Sequence, residues 1–220
     1  MKSIKTTGFI GLVLVMLAGS GCFNRAGLRI PGASLSFPAI TTGYTARTNF
    51  PCTVVVAMPS DCRLQHYDQP VAGTKWKAVS TDATLGSDAT KLIQQRMVEA
   101  LQASGLFAHV TTQTNVPDDV ILKTKVDAFC SQVRGFLIDR VVGITSLHVT
   151  LEQNGRVLSN HQFEAVVTDA DPEYTGSQMT MIEQAMKVTM MDSLREAMKK
   201  MLAQFETNLS TASPNTGKEQ

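Results

Sequence analysis

The chain has 220 residues, 43% of them hydrophobic and 18% charged, with 20 basic residues against 19 acidic ones. That length and apolar content suit one compact domain with tails and exclude a mainly disordered chain. A net charge of +1 argues against non-specific nucleic-acid binding, and after the first apolar run no stretch of about 18 apolar residues follows that would cross a bilayer.

Lys2 and Lys5 precede the apolar run from Phe9 to Ala18, and Gly19, Ser20 and Gly21 lead to Cys22. A positive start, a short apolar middle and a small-residue cleavage region make residues 1–21 a secretory signal. The middle is too short for a stable spanning helix. Its ending at a Cys resembles the lipobox of bacterial lipoproteins, with Gly19 where that family has Leu. The resemblance implies that Cys22 is acylated, palmitate included, and becomes the first mature residue. The alternative is ordinary secretion, which leaves Cys22 a free thiol. Phe23 follows Cys22 where an Asp would resemble the inner-membrane retention signal, so the resemblance implies anchoring at the outer membrane, facing the periplasm. Loss of residues 1–21 removes Lys2 and Lys5 and leaves 18 basic residues against 19 acidic ones.

Residues 22–50 are rich in Gly, Ser, Thr and Pro and show no sustained period, which reads as lipid anchor and flexible tether. Residues 51–209 read as a single periplasmic domain and residues 210–220 as a disordered tail. Cys52 and Cys62 lie ten residues apart, and an oxidising periplasm would let them pair, a loop closure worth about 2–3 kcal/mol. The run from Thr53 to Met58 predicts a buried strand closed by Pro59. Residues 59–85 make a long polar connection containing Arg63, His66, Tyr67, Lys75, Trp76 and Lys77. Tyr67 and Trp76 on such a loop suit contact with a partner or a headgroup. Equally, the loop could fold over the sheet with Trp76 covering the core.

Ser87 or Asp88 caps a predicted helix that carries Leu92, Ile93, Met97, Val98 and Leu101 on one face and ends at Gly105. Residues 107–112 predict a strand. From Asp119 to Val133, alternation places Val120, Leu122, Thr124, Val126, Ala128 and Cys130 on one face, with Cys130 a buried thiol. Two strands, at 138–152 and 156–168, flank Asn154 and Gly155. A two-residue turn would set His148 opposite His161 as a metal or pH-sensing pair. A three-residue loop from Gln153 to Gly155 sets Leu151 against Val157 and Leu147 against His161, and core burial selects this second register. A long helix from near Ser177 puts Met179, Met186, Met190, Leu194, Ala197, Met201 and Phe205 on one stripe, with Thr180 and Glu183 at capping-box spacing. The order of elements predicts an α+β fold: an antiparallel sheet of four to five strands with two helices packed on one face.

Met186 and Met190 have the same-face spacing that a thioether copper site uses, but no His or Cys accompanies them, so core packing or a contact surface is the expectation. No Cys-x-x-Cys pair or His spacing marks zinc. Asp169 and Asp171 offer too few oxygens for a divalent cation and read as a solvated turn. No nucleophile elbow, His-Glu-x-x-His helix or phosphate-cradling loop occurs. No catalytic residue, metal or cofactor is therefore expected, and the chain reads as a non-enzyme.

The helix running into Ala103-Ser104-Gly105-Leu106-Phe107, the hairpin from Leu147 to Phe163 and the C-terminal helix, behind an anchor and a tether, make a layout with a known likeness. It resembles the small envelope lipoproteins that are auxiliary subunits of ABC-type lipid transporters or of lipopolysaccharide assembly. The resemblance covers about residues 51–205 by order of elements. It implies an outer-membrane-anchored periplasmic lipoprotein, an accessory or adaptor subunit of a cell-envelope transport or assembly complex. Its contacts would be the membrane through the lipid and an envelope protein partner through Trp76, Tyr67, Met186 and Met190, without nucleic acid. The other reading is a stand-alone periplasmic module binding lipid or another hydrophobic ligand between the Met stripe and the sheet.

Overall fold

A computed structural model describes residues 40–66, 70–71, 89–113, 119–134, 140–169 and 178–212. Strand β1 (Phe50–Val56) leads through Pro59 to a two-residue strand, β2 (Ser60–Asp61), and a 3-10 turn at Arg63–His66. Helix α1 (Ala89–Ser104) ends at Gly105, whose φ of 67° is the left-handed helix stop its position calls for. Strand β3 (Phe107–Thr111) follows, then three long strands, β4 (Val120–Arg134), β5 (Arg140–Gln153) and β6 (Arg156–Asp169). Helix α2 (Gln178–Ala212) is the last described element and reaches into the segment expected to be a disordered tail.

These strands form one sheet of six in the order β3-β1-β4-β5-β6, with β2 pairing β4 beyond the end of β1. The sheet is mixed, which corrects the expected antiparallel one. Val54 of β1 pairs in parallel with Val110 of β3 on one side and with Val120 of β4 on the other. The cause is α1. A helix between two neighbouring strands carries the chain back to the starting end of the first, so the second must run the same way. Only β4, β5 and β6 are antiparallel neighbours.

Both helices share one core with the sheet. Ile93, Met97 and Leu101 of α1 and Met186, Met190, Leu194, Met201 and Phe205 of α2 are fully buried with Val54, Leu122, Leu147 and Leu151. The expected stripes therefore face the sheet.

Register departs from simple alternation in β1, between Phe50 and Thr53, and again in β4 and β6. In β4, Val126 pairs with Leu147 but Ala128 pairs with Ser146, so Asp127 is an extra residue, a bulge. Val120, Leu122, Thr124 and Val126 share the expected face. Past the bulge the phase flips: Phe129 joins the helix-side core, while Ala128 and Cys130 join Val71, Val142 and Ile144 in a second apolar cluster. The hairpin differs from the expected three-residue loop as well. Asn154 and Gly155 both have positive φ, 52° and 75°, and Gln153 pairs with Arg156, a two-residue turn of the type Asn-Gly favours. Leu158 then bulges out, and Leu151 meets Ser159 while Leu147 meets Phe163. His148 stands opposite Gln162 and His161 opposite Val149, so no histidine pair forms. Burial of Leu147, Leu151 and Phe163 together selects this register.

Cys52 and Cys62 do not pair; both are free thiols. Cys52 lies near the start of β4, two residues before the Val54–Val120 pair, whereas the Cys62 N–H donates to the Val126 carbonyl. That separates them by roughly 25 Å at about 3.3 Å per strand residue, and a disulfide needs Cα atoms within about 7 Å. Burial pushes both thiols up from their ordinary range, Cys52 beside Asp119 and Cys62 beside Asp127. Cys130 is buried, as expected.

Candidate functional site

The sequence nominates Cys22, Tyr67, Trp76, Met186 and Met190 for function. Cys22, Tyr67 and Trp76 lie outside the described residues. Met186 and Met190 are 0% exposed, which corrects their reading as a contact surface. α2 lies with this stripe against the sheet, and a thioether sealed among Leu147, Phe163 and Leu194 is a core side chain. The same packing leaves the Met stripe closed against the sheet, where a hydrophobic ligand was placed by the second reading.

Between α2 and the sheet the interface is polar at two points. Thr145 and Ser193 share a hydrogen bond of 2.7 Å, and Ser131 and Thr189 share one of 3.3 Å. Ser193 also donates to the Met190 carbonyl (2.8 Å) and Thr189 to the Ala185 carbonyl (2.9 Å). These buried hydroxyls spend their protons on each other and on backbone, which lets helix and sheet approach closely without stranding a polar group.

The feature that sequence reasoning missed lies in residues 40–49, expected to be tether. They form a strap across the end of the body. Ile40 is 7% exposed and joins the core, and Tyr44 and Ala46 pack against its edge. Gly43, with φ of 64°, turns the chain between them. The last carbonyls of α1 have no partner within their own helix, and the strap supplies one. Ala46 N–H donates to the Ser104 carbonyl (2.9 Å), and Asn49 Nδ2 to the Gly105 carbonyl (2.8 Å). Phe50 N–H then donates to the Leu106 carbonyl at 2.8 Å, starting β1.

Glu206, near the end of α2, gathers the other side of the strap. Its Oε1 accepts the N–H groups of Arg47 (2.5 Å) and Thr48 (2.9 Å), and its Oε2 accepts the Tyr44 hydroxyl. A shallow hollow of about 510 Å³, lined by Tyr44, Thr45, Arg47, Thr48, Glu206 and Thr207, opens beside these contacts. With three donors on it, the carboxylate is spent on structure rather than free to take a proton from a ligand. The only sequence signal for the strap was a pair of large apolar residues, Ile40 and Tyr44, in an otherwise polar stretch.

The electrostatics follow from these bonds. The Tyr44 hydrogen bond, then the two backbone N–H groups against a little desolvation, hold the Glu206 carboxyl below its ordinary value of 4.5. Burial and then Glu206 push the Tyr44 hydroxyl up to about 12. A carboxyl with a lower pKa folded than unfolded stabilises fully above 4.5 and loses that contribution as pH falls through its depressed value. The Tyr44 contribution is present below the ordinary value of 10.0 and is lost only as pH rises through about 12. Amide hydrogen exchange should therefore show Arg47 and Thr48 protected near neutral pH. Their protection factors should fall in acid, at pH below the ordinary carboxyl value of 4.5, before the protection of β5 does. Unchanged protection down to global acid unfolding would contradict this assignment.

Among the described residues no helix is long and apolar enough to cross a membrane, which says nothing about strands. Also among them, no group of three or more His, Cys, Asp or Glu is arranged to hold a metal. No protein-family model and no curated protein matches the chain. Among solved structures, protein XCC0632 from Xanthomonas campestris, of the DUF330 family, is similar over 81% of this chain and 99% of its own, with a TM-score of 0.51 and 17% identity. A minor lipoprotein from Acinetobacter baumannii matches over 72% of this chain and 96% of its own (TM-score 0.41, 12% identity). The rare lipoprotein B from Shewanella oneidensis matches over 72% and 98% (TM-score 0.39, 13% identity). At 17% identity, what the chain shares with the Xanthomonas protein is its fold, over nearly the whole of that protein.

Proposed function

We propose that this chain is an outer-membrane-anchored periplasmic lipoprotein and a non-enzymatic adaptor in an envelope transport or assembly complex. The observation that carries the reading is the sequence pattern of an export segment ending at Cys22, ahead of a body in which Ile40 already joins the core. Covalent geometry limits residues 23–39 to a span of at most about 60 Å. The lipoproteins among the similar structures agree with that reading in name. A lipid-held body of this kind works through its surfaces. In the described part the buried hydroxyls and the Glu206 carboxylate are committed to structural hydrogen bonds. Trp76, between Lys75 and Lys77, is the residue best suited by type to a partner contact.

Radioactive palmitate should label the wild-type chain and leave Cys22→Ser unlabelled in the soluble periplasmic fraction. A wild-type chain without label would overturn the anchor. Crosslinked and purified from outer membranes, the acylated protein should bring down an envelope protein, and Trp76→Ala should reduce the yield severalfold. Recovery of the body alone under crosslinking would overturn the adaptor role. Native mass spectrometry showing a stoichiometric bound lipid instead would favour a ligand-binding module.

A further inference from the structure

We infer that β6 is the seam of a two-fold dimer, in which the sheets of two copies of this chain join edge to edge about Ala165. The pairing goes beyond the adaptor reading and stands whether or not Cys22 is acylated.

β6 is the last strand on its side of the sheet and is 14 residues long, against five for β3 at the other edge. A long edge offers a row of unpaired N–H and C=O groups, which proteins blunt with Pro, bulges, charge or short strands. Between Ser159 and Thr168 there is no Pro and no bulge. One contact shows which backbone groups face out. Lys200 Nζ donates to the Glu164 carbonyl at 2.6 Å, so Glu164 turns its backbone away from β5. Alternation turns Gln162, Val166 and Thr168 outward with it. Among the described residues, Lys200 is the one group bonded to this row.

Two features select a second copy as the strand that fills the row. The first is backbone self-complementarity. Turned about Ala165, β6 sets Glu164 opposite Val166 of the second copy and Gln162 opposite Thr168. These four pairs exchange about eight backbone hydrogen bonds, and Ala165 meets its twin where antiparallel strands approach most closely. Centred one residue away, on Glu164, the seam would set two carboxylates directly opposite each other, which is unfavourable.

The second feature is charge on α2. This helix packs on β5 and β6 alike. With strands about 4.8 Å apart, the two copies of α2 come to roughly 10 Å, the ordinary distance of packed helices. α2 runs opposite to β6, since Lys200 reaches Glu164 while Asn208 reaches Ser159 and His161. The part of α2 beside Ala165 is therefore near residue 198. Glu196 lies one turn before Lys200 on the same face, and the two-fold turns Glu196 of each copy toward Lys199 and Lys200 of the other. Among the described residues the Glu196 carboxylate meets only Arg195 Nε, at 3.5 Å, and it is 41% exposed. On pairing, the Glu164 carbonyl takes the Val166 N–H of the second copy, and Lys200 moves to the Glu196 carboxylate. An unrelated extended peptide could take the hydrogen bonds but would leave these charges unmatched.

Light scattering on the full chain, eluted by size exclusion in mild detergent, should give a protein mass of twice one chain. Cys22→Ser should give the same, so a failed anchor and a failed dimer are distinguishable. Val166→Pro removes an outward N–H and spares the ladder to β5. It should weaken pairing about tenfold or more, because each copy loses a cross-strand hydrogen bond, with circular dichroism unchanged. Glu196→Lys should weaken pairing too, and Glu196→Lys combined with Lys200→Glu should restore it, which keeps the test sound should the Pro disturb the strand. Glu164→Cys mixed with Val166→Cys should give a disulfide-linked pair that neither variant gives alone, since residues opposite each other in such a pair lie within disulfide reach. A wild type that is monomeric at every concentration, or failure of both the charge swap and the mixed disulfide, would overturn the inference. So would a larger assembly, because a two-fold pair closes. A monomer that loses its envelope partner on Val166→Pro would also overturn it, giving the edge to a strand of that partner.

Discussion

Gly143→Ala is expected to destabilise the domain by about 3 kcal/mol, near the upper end of the usual range for overpacking. For a domain of this size that lowers the melting temperature by roughly 6–12 °C. The reason is a backbone-to-backbone approach. A Cβ on Gly143 would collide with the carbonyl of Thr189 and stand 2.7 Å from the Met190 nitrogen. Where a side chain obstructs, it can rotate away. Here the obstacle is the α2 backbone, so the helix must lift from β5 and loosen the Ser131–Thr189 and Thr145–Ser193 hydrogen bonds on either side. No substitution at Thr189 should rescue the variant. Thermal unfolding followed by circular dichroism would check this, and a shift under 2 °C would mean that α2 does not lie where it is described.

The second large effect belongs to the stripe of α2. Phe205→Ala should cost about 3–5 kcal/mol, read as a lower midpoint in urea with little change in slope. Phe205 is fully buried and meets Phe163 edge to face, with centroids 6.2 Å apart, so truncation loses both transfer energy and an aromatic pair. Met190→Leu, which nearly conserves volume, should stay within about 1.5 kcal/mol. The pair separates a core stripe from a contact surface. A surface would tolerate Phe205→Ala in stability and lose partner binding; a core does the opposite.

Much of this fold was legible in local patterns. The helix stop at Gly105 and the 3.6-residue spacing of Ile93, Met97 and Leu101 are properties of a few neighbouring residues, and α1 ends at Ser104 as they dictate. The alternation from Val120 to Val126 held for the same reason. The parallel pairing of β1 with β3 was within reach, because a strand, a helix and a strand in succession form a crossover unit. The bulge at Asp127 was not. A charged residue in an alternating run looks like another outward position, and only the pairing of β4 with β5 shows it as an insertion. At the hairpin, preference for a buried face rightly excluded the histidine pair. It misplaced the slip, which sits at Leu158 on β6 and not in the turn. The strap was missed because polar composition resembles a linker, while Tyr44 and Glu206 are 162 positions apart in the chain.

What the sequence by itself determined is what depends on near neighbours: the helix stop at Gly105, the alternation of β4 as far as Val126 and the apolar face of each helix. Each is decided by short-range backbone and burial preferences that a window of residues contains. Tertiary structure alone decided the placement of β4 beside β1, the bulges in β4 and β6, the separation of Cys52 from Cys62, the sealing of the Met stripe and the seating of Tyr44, Arg47 and Thr48 on Glu206. Those depend on which distant group arrives opposite, a matter of hydrogen-bond register and packing across the sheet that no local pattern encodes.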